Sequence, residues 1–483
     1  MERLNNNVLP LKDIAVRRMV AVLFKESDIL ASVRNFHCKS IIFLGYENLK
    51  VWQEAVEDKL SDKISKIGLP APLTKLLIDT SKPMGRQIPG WKTFHEEYLF
   101  DSLEEGIPFD VPILESLCWT AAGELDYRKT AEELIRSDFM DIVKRYQLAS
   151  LYCLEDYIRL FWEELPEEKK MYFYDQKRHF QIGKQPLQFW WPYIIRGEQS
   201  RQEFLTRFYR IQGITFHQYA FQYSAVRRNK AAAVYFFQKL TQEEKEASLM
   251  STTEDLVDWR SFTHSAFPKE KVSEMLCYLL SVMTPDQQMQ LFEKWPYRVL
   301  GCFLRWPLQD HFSEIADIIL NFFPASYYNT FLKDMYECFK NSGYYFQKLF
   351  PEFFLRIPFE FRKSFVDRQR EPFSYFAHIL MLEDKEALAT TLRCVDDATR
   401  AGIVFSDFAL DYFRSSIPRG RWDVVAVFLR EARLSKDDRE RLKEMNIQTR
   451  RWTRFFQFLD ETDAPNMRCS GDETPTAAKM KKT

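Results

Sequence analysis

Glycine is scarce in this chain, and long apolar runs are missing. Only 14 of the 483 residues are glycine, about 3% against roughly 7% in an average protein. The scarcity excludes a collagen-like chain and disfavours folds that depend on Gly-rich turns. The longest apolar stretches, 189–195 and 315–323, fall short of the roughly 18 residues that a membrane-spanning helix needs. We therefore expect no transmembrane helix and no membrane partner.

The chain also lacks an excess of charge of either sign. Lys and Arg total 68 against 69 Asp and Glu, so no global field attracts a polyanion, and nucleic acid is not an expected partner. The first seven residues lack the apolar region of a secretory signal, and no Asn-x-Ser/Thr sequon occurs. The eight cysteines show no CxxC spacing. These absences predict a cytoplasmic protein with reduced core thiols.

Apolar and aromatic side chains at helical spacing are abundant. The chain is 46% hydrophobic and holds 42 Phe, which indicates a folded protein. Val272, Met275, Leu279 and Met283 lie on one face of a helix. The next residues, 284–286, read Thr-Pro-Asp and supply an N-cap, a first-turn proline and an acid for a following helix. The sequence thus predicts an all-α fold.

The same kind of junction, an apolar helix end followed by a cap or a proline, recurs along the chain. It comes near residues 165, 240, 283, 323, 357, 395 and 434, mostly about 38 residues apart. A fixed period of this length with two helices in each unit is typical of an α-solenoid. We predict an α-solenoid of helical hairpins with a period near 38 residues, and an irregular helical domain stays open as the alternative.

Three stretches resemble the second helix of an ankyrin repeat, whose usual pattern is Gly-x-x-Asp-Val-Val-x-x-Leu-Leu. They are 135–146, 225–237 and 419–429, the last reading Arg-Gly-Arg-Trp-Asp-Val-Val-Ala-Val-Phe-Leu. The chain lacks the Thr-Pro-Leu-His-x-Ala string of ankyrin repeats, and its units exceed their 33 residues. It resembles a highly diverged ankyrin-type helical repeat protein, and a HEAT-like arrangement of the same helices is the alternative. The resemblance implies binding of another protein.

The patterns divide the chain into three parts. Residues 1–118 are predicted to be an N-terminal helical capping region, with helices at 13–24 and 46–67 followed by turns and loop at 69–72 and 82–90. Residues 119–460 are predicted to be the degenerate repeat array. Residues 461–483 are polar, without apolar periodicity, and are predicted to be a disordered tail.

Motifs for chemistry are incomplete wherever they occur. Residues 85–93 nearly spell a phosphate-binding loop, but Trp91 separates the second glycine from Lys92, so we expect an irregular surface loop. His95 starts a zinc-type helix pattern that lacks its second histidine. His37 and Cys38 are adjacent, which does not by itself place an imidazole on a thiol. The sequence identifies no catalytic residue, cofactor or metal ligand.

Short basic clusters and aromatic clusters are the remaining features. The basic clusters are predicted to be solvated helix faces. The aromatic clusters are interpreted first as packing between units, while exposed Trp and Tyr would anchor a partner. The basic clusters are Arg17–Arg18, Arg227–Arg228 with Lys230, and Arg450–Arg451 with Arg454. The aromatic clusters are 189–193, 295–297, 306–307, 327–328 and 344–346.

The expected function is that of a non-catalytic protein–protein interaction scaffold that uses the surface of an elongated helical repeat array. Its partner would be another protein or peptide, and no binding residue is assigned. The alternative is a hydrolase-like enzyme whose dispersed catalytic residues form no recognisable motif.

Overall fold

The computed structural model describes residues 9–36, 46–99, 109–174, 186–205, 213–258, 267–268, 271–342, 349–362, 379–380, 383–417, 419, 422–445 and 453–461. Within these ranges the chain is helical and forms no β-strand, so the all-α prediction is confirmed there. The chain divides into two compact units, Met1–Phe346 and Gln347–Thr483. The boundary predicted after residue 118 lies within the first unit.

The helices of the first unit are mostly short. They are α1 Leu11–Leu23, α2 Ser27–Asn35, α3 Tyr46–Trp52, α4 Asp58–Lys66, α5 Ala71–Gly85, α6 Gln87–Leu99, α7 Val111–Glu115, α8 Tyr127–Arg136, α9 Ile142–Leu151, α10 Glu155–Glu164, α11 Glu167–Tyr174, α12 Leu187–Arg196, α13 Glu198–Phe204, α14 Phe216–Val226, α15 Lys230–Gln238, α16 Gln242–Val257, α17 Lys271–Val282, α18 Pro285–Lys294, α19 Pro296–Cys302, α20 Phe312–Ile319 and α21 Tyr328–Ser342. A π-helical turn, Gln53–Glu57, joins α3 to α4.

The second unit has helices of similar length. They are α22 Leu349–Arg356, α23 Lys385–Arg393, α24 Asp397–Val404, α25 Asp407–Ser416, α26 Trp422–Ala432, α27 Lys436–Glu444 and α28 Thr453–Glu461. Helix α23 packs against α22 and α26, and α26 also packs against α24. The predicted disordered tail lies outside the described residues from residue 462 onward.

Side-chain caps start helices at several of the predicted junctions. The Thr241 and Thr284 hydroxyls each accept a hydrogen bond from the third backbone N–H of their helix, in complete capping boxes. The Asp396 carboxylate and the Ser435 hydroxyl each accept from the third backbone N–H of α24 and α27, without a capping box. Each cap satisfies a donor that the helix itself leaves without a partner. The sequence therefore located these helix starts correctly.

The turns and loop predicted at 69–72 and 82–90 are mostly wrong, because α5 and α6 occupy most of these residues. Proline is compatible with the first turn of a helix, where an N–H has no intrahelical acceptor, and Pro72 and Pro89 stand there. Gly85 is a packing position, since a Cβ added to it would come within 2.5 Å of the Phe24 ring. The phosphate-loop-like segment is thus a helix start with buried Trp91 and Lys92, and the expected surface loop is absent.

Alternate helices pack against one another through the later part of the first unit. Helix α16 packs against both α14 and α18, while α15 packs against α17, α17 against α19, and α19 against α21. The chain thereby places two rows of helices side by side. Leu276 and Leu280 on α17 and Leu300 on α19 are buried, with 1% or less of their surface exposed.

Two of the predicted solvated basic residues are buried. Arg17 on α1 is 6% exposed and Arg228, between α14 and α15, is 5% exposed, so the surface interpretation of these two side chains is wrong. Burial of an arginine requires acceptors for its guanidinium, and the sequence does not reveal acceptors that lie far away along the chain. Arg450 and Arg451 lie outside the described residues.

The described thiols are unpaired. Cys153 and Cys302 are buried, and Cys118, Cys277 and Cys394 are partly exposed. In the ranges that the structure describes, no helix is both long enough and apolar enough to cross a membrane.

Candidate functional site: an aromatic surface on the first unit

The predicted aromatic clusters separate into a buried group and a partly exposed group. Trp190 and Trp191 are fully buried and pack against rings of α14 and α15, as the packing interpretation requires. Trp295 and Tyr297 are partly exposed, and Tyr327 is 43% exposed. The cluster at 344–346 lies outside the described residues.

The exposed rings come together from two separate segments. Tyr297, in the first turn of α19, lies with its ring centroid 5.0 Å from that of Tyr327, in the turn before α21. The Tyr297 hydroxyl donates to the Asp334 carboxylate on α21. Trp295 ends α18 and has the Arg298 guanidinium 5.0 Å from its ring centroid. We refer to Trp295, Tyr297, Arg298, Tyr327 and Asp334 as the aromatic ridge.

Local sequence explains why the ridge is held in place. Pro296 occupies the first position of α19, and its fixed φ prepares the chain for a helix immediately after Trp295. Phe323 and Phe331, which are buried, lie 6.3 Å and 5.7 Å from the Tyr297 ring, centroid to centroid. The exposed rings therefore rest on a buried aromatic floor, which limits the conformational entropy they lose when a partner binds.

Acidic groups of α16 border the ridge. The Arg298 guanidinium donates to the Asp258 carboxylate and, at 3.2 Å, to the Val257 carbonyl. Lys294 pairs with Glu254 at 2.8 Å. Asp255 lies between the two paired acids, and burial together with the charges of Glu254 and Asp258 raises its pKa above the usual range. The border thus remains electronegative although two cations are bound to it.

A second cluster of polar groups surrounds the loop 119–125, whose ends form an antiparallel bridge between Trp119 and Leu125. Arg17 donates to the Ala122 carbonyl at 3.1 Å and pairs with Asp310 at 2.8 Å. Gln87 donates to the Gly123 carbonyl and accepts from the Leu125 N–H. The Trp306 indole also donates to the Gly123 carbonyl. The loop therefore joins segments that are distant in sequence.

Lys271 holds the end of this loop. Its ammonium lies 3.2 Å from a Glu124 oxygen, 3.0 Å from a Glu274 oxygen and 4.2 Å from the centroid of the Tyr127 ring. Burial, followed by the charge of Glu274, raises the pKa of Glu124 to about 7. Burial also acts on Glu274, but the ammoniums of Lys271 and Lys230 outweigh it and hold its pKa at about 2. The cluster is a buried ion network that fixes the loop.

Burial suppresses the reactivity of one histidine and two thiols in the described ranges. The His95 ring is buried, with Nδ1 2.7 Å from the Trp91 carbonyl and Nε2 2.6 Å from the Tyr152 hydroxyl. Its Nδ1–H donates, so Nε2 accepts, and burial lowers the pKa of His95 to about 3. Burial raises the pKa of Cys277 and of Cys302 to about 12, so these thiols are poor nucleophiles.

The part of the chain that the structure describes holds no cluster of metal-ligating side chains. No group of three His, Cys, Asp or Glu side chains is placed there to hold a metal ion. A depression of about 400 Å³ between α4 and α5 has Lys75 as the only titratable group in its lining. His37 and Cys38 lie outside the described residues.

In comparisons with known proteins, no protein-family model matches the chain and no curated protein matches it significantly.

Sequence reasoning found the aromatic ridge only as separate clusters. It singled out Trp295, Tyr297 and Tyr327, but nothing in the sequence pairs residue 297 with residue 327. It missed Glu124 and Lys271 altogether. A lysine at the start of an apolar helix is a weak signal for burial, because such a residue is ordinarily solvated.

Proposed function

We propose that this protein is a non-catalytic protein–protein interaction scaffold, and that it binds a protein partner through the aromatic ridge of the first unit. The proposal includes an elongated array of helical hairpins, of a diverged ankyrin-like or HEAT-like kind, as the framework that presents the ridge. It also includes a cytoplasmic location, as the composition suggests.

The two rows of helices support the array. In a solenoid each hairpin contacts mainly its neighbours, so equivalent helices pack side by side, as α15, α17, α19 and α21 do.

Polar pairs between successive units support it as well, because their sequence separation falls near the proposed period. Lys294–Glu254 and Arg298–Asp258 are 40 residues apart. In the second unit, Lys385–Asp423 and Arg393–Glu431 are 38 apart.

The observation that carries the binding function is the partial exposure of Trp295, Tyr297 and Tyr327 above a buried aromatic floor. Trp, Tyr and Arg dominate the energetics of protein interfaces, since they bury large areas at a low cost in conformational entropy. An aromatic surface that served only internal packing would be covered, as Trp190 and Trp191 are.

Affinity capture from lysate of the native cells tests the proposal. The baits are the full-length wild-type chain, the Tyr297→Ala/Tyr327→Ala variant, and a Phe139→Ala control. Phe139 is 55% exposed and lies outside the ridge, so the control removes a comparable exposed ring. We expect wild type and control to recover the same stoichiometric partner and the double variant to lose it.

Recovery of the partner by all three baits would overturn the assignment of the ridge as the binding surface. If wild type recovers no partner at any salt concentration, the scaffold function is overturned and the enzyme alternative is favoured.

A further inference from the structure

Two features of the ridge indicate the chemistry of the proposed partner. The first is that tyrosine rings are exposed beside a carboxylate. Tyr327 presents a ring that is 43% exposed, beside the partly exposed Tyr297 ring and the Asp334 carboxylate that accepts from the Tyr297 hydroxyl. The face of an aromatic ring is the negative part of its quadrupole. An ammonium or guanidinium placed over such a face is attracted to it, and a nearby carboxylate adds to the attraction.

The second feature is the balance of charge around the rings. Among the described residues, the ridge, the groups that it contacts or adjoins and the groups next to those carry five acids, Glu254, Asp255, Asp258, Glu293 and Asp334, and three cations, Lys294, Arg298 and Lys333. The acids of this set therefore outnumber the cations by two.

The backbone dipole of α16 adds to the negative charge beside the ridge. Helix α16 ends at Val257, so the negative end of its dipole lies beside Asp258 and the ridge.

We infer that the ridge recognises a basic segment of its protein partner, with a lysine or arginine side chain of that segment placed over the Tyr297 and Tyr327 rings and near Asp334. The inference rests on the proposed function and specifies its partner.

The same surface disfavours other protein segments. An acidic segment would place carboxylates beside Asp334 and the acids at the end of α16, where like charges repel one another. A purely apolar segment would cover the acids without replacing their hydration, which costs free energy when charges remain unpaired. A basic segment removes both penalties, because its own charges neutralise the excess acids.

Selection from a displayed library of random 12-residue peptides tests the inference directly. The library is selected on the full-length wild-type chain and then depleted on the Tyr327→Ala variant, so that ridge-dependent peptides remain. Their affinities are measured by fluorescence anisotropy on wild type, Asp334→Lys and Phe139→Ala. Melting curves check that each variant is folded. All three substituted positions are exposed, so we expect the variants to fold.

We expect the ridge-dependent peptides to carry an excess of Lys and Arg over Asp and Glu. Their affinity should fall about tenfold in Asp334→Lys, stay unchanged in Phe139→Ala, and weaken as salt is raised.

Two results would overturn the inference, and they are distinguishable. Ridge-dependent peptides without a basic excess, equally tight on Asp334→Lys, would refute the basic partner and leave the scaffold function in place. A selection that yields no ridge-dependent peptide would count against both the basic partner and the scaffold function.

Discussion

The first unit contains two regions in which aromatic and charged side chains meet, and they are organised in opposite ways. Around the loop 119–125 the cations are buried: the side chain of Lys271 is 5% exposed and that of Arg17 is 7% exposed. At the aromatic ridge the side chain of Arg298 is 20% exposed, that of the adjacent Lys294 is 57% exposed, and the rings are partly exposed as well. Similar residue types therefore fix the internal structure in one region and form an accessible surface in the other.

Burial, and not residue type, therefore decides whether these groups contribute to the stability of the fold or to an accessible surface. A buried ion pair that loses one partner leaves an uncompensated charge in a medium of low dielectric constant. An exposed pair that loses one partner leaves a charge that water solvates, so little free energy is lost. Substitutions at the loop should therefore change the free energy of unfolding, whereas substitutions at the ridge should change binding.

The largest expected effect is that of Lys271→Met. The substitution leaves Glu124 and Glu274 facing each other without their shared cation, which should lower the free energy of unfolding by about 3–5 kcal/mol. The matched control is Lys294→Met, which removes an exposed cation from its pair with Glu254 and should cost less than about 1 kcal/mol. Urea unfolding followed by circular dichroism measures both. Equal losses would contradict the contrast between the two regions.

Gly123→Ala should cause the second-largest loss of stability, because Gly123 combines a left-handed backbone conformation with close packing. Its φ is +69°, and an added Cβ would lie 3.0 Å from the Met84 sulfur and 3.2 Å from the Trp306 ring. We expect a loss of roughly 2–4 kcal/mol from backbone strain and overpacking together. Gly68 has φ +78° with nothing within 4 Å of such a Cβ, so Gly68→Ala should show the strain alone, about 1 kcal/mol.

The comparison also shows how far the sequence predicts such regions. Local patterns located helix starts such as those capped by Thr241 and Thr284, because a cap and its helix are only a few residues apart. They failed at Pro89 and Gly85, where a helix start and a tight packing position resemble a loop. They failed at Arg17 and Lys271 because the acceptors, Ala122 and Glu124, are remote in sequence, and burial of a cation depends on such long-range partners. The sequence predicted the aromatic residues of the ridge as separate clusters. It did not predict the contact between Tyr297 and Tyr327, because that contact depends on helix packing.

A pH series gives a finer test of the buried network. The pKa of Glu124 is raised from its unfolded value of 4.5 to about 7 in the folded protein, so the folded state binds the extra proton between these values. Its contribution to stability is fully present below pH 4.5 and is lost as the pH rises to about 7.

Relative to Glu124→Gln, whose amide does not titrate, wild type should lose about 2 kcal/mol between pH 5 and pH 7.5. Urea midpoints measured across this range provide the comparison. A constant difference between the two proteins would show that Glu124 titrates normally.

The smallest expected change in stability is that of Tyr327→Ala, at the ridge. The ring is 43% exposed and contacts Tyr297 and Phe323, so its removal should lower the free energy of unfolding by about 1 kcal/mol or less. Binding of a ridge-dependent peptide to the same variant should fall about tenfold, since an aromatic anchor in an interface contributes more than it does to folding. Unfolding and binding measured on one preparation separate the two effects. A loss of stability as large as that of Lys271→Met would place Tyr327 among the residues that hold the fold, and the ridge would then be part of the core and not a surface for a partner.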